Sequence, residues 1–252
     1  MRWGAVVRAL GILVGVAVAW IASTADPLGL GATLAVPLFG TCLLLGLLVA
    51  EALQPRPARG VRRATLETRR IRDYLPRRPT IGVAVLAGAL VAVLGTTTAV
   101  ASPDSEGRAG RELTLTCPQG FSASGPWPGS YYAVPTIATV LCGLGLAALV
   151  LRAITARPRL GPDDEIRRLD DAGRRQTARM VVASCGLLVA VPLAGTALVA
   201  APQLAAHTCG PGWLGAAGLG LAFIALGAFL AFCAYLAQLV LPPREPTDPR
   251  GR

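Results

Sequence analysis

Lysine is absent from this chain and histidine occurs once, so all 24 basic side chains other than that histidine are arginine. Aromatic residues make up 5% of the sequence and charged residues 15%. A single histidine, His207, and no Ser/His/Asp set leave little for general acid–base catalysis. There is no GxxxxGKS phosphate loop, no HExxH helix and no CxxC or HxxxH pair. No catalytic residue, cofactor or metal site is therefore expected, and an enzyme is not.

What is present is apolar surface. Hydrophobic residues form 53% of the 252, and mean hydropathy is +0.56. The charges are gathered in blocks, whereas a soluble core would interleave them, so the composition is that of a membrane protein. In a soluble protein the net charge of +10 would suggest nucleic acid. Here the charge lies beside apolar runs, where topology accounts for it better, and no nucleic-acid partner is expected. Arginine without lysine, together with abundant Ala and Gly, reads as the codon bias of a GC-rich bacterium.

About 20 residues cross a 30 Å hydrocarbon core. Six runs meet that length: 4–23, 28–53, 81–101, 131–154, 180–201 and 213–241. Segments 54–80 and 155–179 join them on one side, and 24–27, 102–130 and 202–212 on the other. The N-terminus, the two long basic segments and the tail hold 22 of the 24 arginines, while the opposite loops hold only Arg108 and Arg111. By the positive-inside rule both termini are cytoplasmic, in a bacterial plasma membrane. Ser23-Thr24-Ala25 resembles a signal-peptide cleavage site, but the next apolar run starts at Leu28 and leaves a peptidase little room, so an uncleaved helix is expected. The expected fold is an all-α integral membrane protein whose six transmembrane helices form three hairpins in one domain, 1–241. Short cytoplasmic helices are expected in both basic loops, the second following Pro162 and Asp163, Asp164 and Glu165 and continuing into the fifth run. The tail, 242–252, is expected to be disordered.

Both basic loops carry the pattern RR-x5-RR, as Arg62, Arg63, Arg69 and Arg70 and again as Arg167, Arg168, Arg174 and Arg175. This favours hairpins of common ancestry and offers eight cations to anionic lipid or an acidic protein partner at the cytoplasmic face. A competing register matches 35–41 with 190–196 at six of seven positions, which makes Pro37, Gly40, Pro192 and Gly195 paired helix breaks of the kind that line a transporter's cavity.

Of six cysteines, Cys117 and Cys209 face the oxidising side and are expected to form a disulfide; the other four are apolar fillers. His207 and Glu51 read as interfacial polar groups, and Gly11-x3-Gly15 as a surface for close helix packing. Thr96, Thr97 and Thr98 are expected to bond carbonyls of their own helix. The function this supports is a multi-pass, non-catalytic membrane component or partner-binding subunit. The alternative is a small permease or channel, or an ABC-type permease subunit, that uses the Pro/Gly breaks. No oligomeric state follows.

Overall fold

A computed structural model describes residues 2–25, 28–53, 74–118, 120–156, 164–207 and 211–241. Each of the six apolar runs is helical: α1 (Arg2–Ala25), α2 (Leu30–Ala52), α3 (Arg77–Ala99), α4 (Ser130–Ala156), α5 (Asp164–Ala206) and α6 (Trp213–Val240). Five of them, α2 to α6, are long and apolar enough to cross a membrane, and α1 contributes an apolar stretch over Ala9–Ala25. The short helix expected within 54–80 and the tail lie outside the described residues.

The organising element is α5. It runs 43 residues without a break, about 65 Å at 1.5 Å per residue, roughly twice the hydrocarbon thickness. Its charged first turns and its apolar span are one helix, as the acids after Pro162 suggest. Residues 181–190 are buried on every side, the condition of a helix wrapped by others. Helices α2, α3, α4 and α6 all pack on it.

Helix α1 lies against α2, where Gly11 and Gly46 let the backbones meet: a Cβ on Gly11 would stand 3.1 Å from the Gly46 Cα. The Gly11-x3-Gly15 face is thus used inside the chain, since a Cβ on Gly15 would come within 2.9 Å of the Phe39 ring. Helix α6 packs on α5 with the Tyr235 ring laid over Gly186 and its hydroxyl donating to the Pro79 carbonyl at 2.8 Å.

The middle pair departs from a packed hairpin. Helices α3 and α4 scarcely touch; α4 packs on α2 and α3 on α5. Leu188, Val189 and Leu193 of α5 fill the space among Leu90, Val93 and Leu94 of α3 and Ala133 and Val140 of α4. The connection of some thirty residues permits this, because lengthening a loop costs little entropy and pairing then follows surface fit.

The fold is helical as expected, and that connection adds one small sheet to it. β1 (Leu113–Cys117) and β2 (Gly120–Ser124) form a two-stranded antiparallel sheet, with Leu113 opposite Ser124 and Cys117 opposite Gly120. Leu-Thr-Leu-Thr alternation ahead of Pro118-Gln119-Gly120 was its signal in the sequence. Together with the loop before it and Trp127 after it, the hairpin makes a cap over one end of the bundle.

Candidate functional site

The two ends of the bundle carry different polar chemistry. At the basic end, Arg174 of α5 is buried, its side chain 2% exposed and that of Asp170 3%. Its Nε and Nη2 donate to Asp170 Oδ2 at 3.0 and 2.9 Å, and Nη1 donates to the Ile154 carbonyl at 2.7 Å. Because α4 ends at Ala156, that carbonyl belongs to its last turn, where a cation from a neighbouring helix satisfies an otherwise unused acceptor. Thr177 donates to Glu51 across 3.4 Å, and Tyr74 to Asp171 across 3.5 Å. Glu51 therefore links α2 to α5.

The eight arginines of the repeated pattern are not one set. Arg174 faces inward, whereas Arg168 and Arg175 are exposed; Arg167 lies in α5, and Arg62, Arg63, Arg69 and Arg70 lie outside the described residues. Sequence repetition missed Arg77, Arg78, Arg152 and Arg179, all exposed. None of the exposed arginines at this end has an ion-pair partner among the described residues.

Helices α2 and α5 continue through Pro37 and Pro192. Pro37 and Pro192 are buried, Gly40 packs on Leu188, and Gly195 faces outward with nothing within 4 Å of its Cβ position.

At the cap end, Asp104 is the hub of the loop before β1. Its Oδ1 accepts from the backbone N–H groups of Glu106 and Arg108 at 3.1 and 2.8 Å. Its Oδ2 accepts from Arg108 Nε at 2.7 Å and Arg111 Nη1 at 2.8 Å. The turn closes through Gly107 and Gly110, whose φ values of 78° and 76° suit glycine. Arg111 also lies over the Tyr131 ring at 5.2 Å. Burial opposes ionisation of Asp104, but the bonds and charge of Arg108 and the Glu106 N–H outweigh it and hold the carboxyl down at about 2, below its ordinary 3.8.

A depressed carboxyl gives stability that is complete above the unfolded value and is lost as pH falls through the folded one. The cap should therefore keep its near-UV circular dichroism from neutral pH to about pH 4 and lose it toward pH 2, and Asp104→Asn should weaken the cap while flattening that dependence. A cap signal in the variant as pH-dependent as in the natural chain would sink the assignment.

Three links tie the cap to the helices, and a further bond, from Tyr132, joins α4 to a residue ahead of α2. Trp127, 1% exposed, donates its Nε1 to the Thr97 carbonyl at 2.8 Å. Tyr132 donates to the Leu28 carbonyl at 2.8 Å, and Gln203 to the Gly125 carbonyl at 3.4 Å. His207, at the end of α5, hydrogen-bonds Ser122 Oγ through Nδ1 at 3.1 Å and Ser124 Oγ through Nε2 at 2.9 Å. Its role is that of a clamp, and alternation along β2 presents both serines to it. Among the described residues no group of His, Cys, Asp and Glu is arranged to hold a metal. The Thr96 and Thr97 hydroxyls bond carbonyls of their own helix. An open cleft of 410 Å³ lies between this loop and Leu28, walled by Asp104, Arg108, Arg111 and Glu112. Cys42, Cys142, Cys185 and Cys233 are free thiols, Cys117 is disulfide-bonded, and Cys209 lies outside the described residues.

No protein-family model, curated protein or solved structure matches this chain.

Proposed function

We propose that the chain is a six-crossing protein of a bacterial plasma membrane, non-catalytic, with its termini and basic segments in the cytoplasm, where they meet anionic lipid or an acidic partner. The observation that carries this is the contrast between the ends. In the sequence, the N-terminus, the two basic segments and the tail hold 22 of the 24 arginines; of those described, several are exposed and without an ion-pair partner among the described residues, whereas at the other end Arg108 and Arg111 converge on Asp104. Five long apolar helices supply the crossings, and α1 is taken as the sixth.

Orientation is tested with single cysteines at Ser105 and Ala172 in a background whose native free cysteines are replaced by alanine. A membrane-impermeant maleimide should label position 105 in intact cells and position 172 only after lysis. The opposite pattern would reject the proposed topology.

In the same orientation Cys117 pairs with Cys209, which its oxidised sulfur and its outward position support. Breaking that bond opens a loop of roughly 90 residues, worth about 2–4 kcal/mol. Cys209→Ser should therefore lower the melting temperature in detergent and abolish the mobility change that reductant produces on a denaturing gel. A natural chain whose mobility ignores reductant would count against the pairing.

A further inference from the structure

We propose that the basic end holds anionic phospholipid through phosphate groups bound by Arg78 of α3 and Arg152 of α4. The proposal rests on the membrane reading above, in taking α3 and α4 to cross the bilayer, and names which arginines meet lipid. Arg78 is exposed and precedes Ile81 by three residues and Val85 by seven, which are 63% and 65% exposed, so all three share one helix face. Arg152 is exposed and follows Leu149 by three residues and Leu141 by eleven, which are 52% and 62% exposed, again on one face. Each arginine thus stands at the head of an uncovered apolar stripe.

Such a stripe on a spanning helix faces acyl chains, which sets its arginine at the depth of the phosphate layer. The side-chain stem then lies along the apolar stripe while the guanidinium offers two parallel N–H donors to one phosphate. Neither residue has an ion-pair partner among the described residues. Two arginines of α5 are placed differently. Arg174 is committed to Asp170 and Ile154. Arg168 is exposed on α5 eleven residues before Arg179, about 16 Å farther from the apolar span.

The test is lipid retention by the full chain, purified in detergent and washed, then counted by native mass spectrometry with phosphatidylglycerol and phosphatidylcholine as probes. The natural chain should retain phosphatidylglycerol in preference. At about fivefold per arginine, the double variant Arg78→Gln/Arg152→Gln should retain it more than about tenfold less well, while Arg168→Gln leaves retention unchanged. Circular dichroism confirms that the variants keep their helices. If the folded double variant retains phosphatidylglycerol like the natural chain, or if Arg168→Gln loses as much, the proposal is overturned. An acidic protein that co-purifies through Arg78 and Arg152 while phosphatidylglycerol retention ignores them overturns it as well. A chain that stays soluble without detergent rejects the membrane reading itself, a separable result.

Discussion

Arg174→Met is expected to destabilise the protein by about 3–5 kcal/mol, the cost of removing one partner from a buried ion pair. Asp170 is 3% exposed on its side chain, so solvent does little to screen the charge that remains. The same change strips the last turn of α4 of the donor that reaches the Ile154 carbonyl. Thermal unfolding in detergent measures the effect. The companion variant Asp170→Leu/Arg174→Met should recover most of the loss, because an apolar pair of similar volume is often neutral where a single removal is not. An Arg174→Met protein as stable as the natural chain would show that the pair carries no such weight. The double variant separates the ion pair from mere helix packing, since it keeps the packing and deletes both charges.

Trp127→Ala is expected to be of comparable size, about 3–5 kcal/mol for truncating a fully buried tryptophan. Trp127 fills the space under the cap among Leu113 and Ala200, with Leu204 and Leu221 beside it. Its indole N–H bonds the end of α3, and its backbone N–H donates to the Arg111 carbonyl at 2.7 Å, so one residue joins a helix end, the Asp104 loop and α5. Trp127→Phe should recover much of the packing and little of the hydrogen bond, placing it between the two. Melting in detergent gives the ranking. Limited proteolysis adds a local measure, because loss of the plug should expose the hairpin around Phe121 before the helices open. Equal resistance of Trp127→Ala and the natural chain would refute the role.

Much of this was legible in residues read one by one. Each apolar run lies on a helix, and the acids after Pro162 stand at the start of one that continues into the fifth run. Other features were written in the sequence and passed over: the Leu-Thr alternation of β1, and the i+2 spacing of Ser122 and Ser124 that aims both at His207. A third group could not be read at all. Arg174 and Arg175 look identical as neighbours, yet one is buried and the other exposed, because a turn of about 100° per residue sends them to different faces of α5. The Ala-Val-Pro-Leu similarity of α2 and α5 likewise says nothing about where Gly40 and Gly195 face.

By itself the sequence determined that the chain is built of apolar helices and that 22 of its 24 arginines fall in the N-terminus, two basic connections and the tail. Both follow from transfer energies that act on each segment separately, whatever its neighbours. Only the tertiary structure decided that α5 sits at the centre, that α3 and α4 part to admit it, and that the repeated arginines divide into buried and exposed. Those outcomes depend on which apolar surfaces fit together, and five long helices whose apolar spans are of nearly equal hydropathy carry no record of that choice in their composition. Fit is settled by small residues such as Gly46, Gly143 and Gly186 meeting Gly11, Leu188 and Tyr235 from distant parts of the chain.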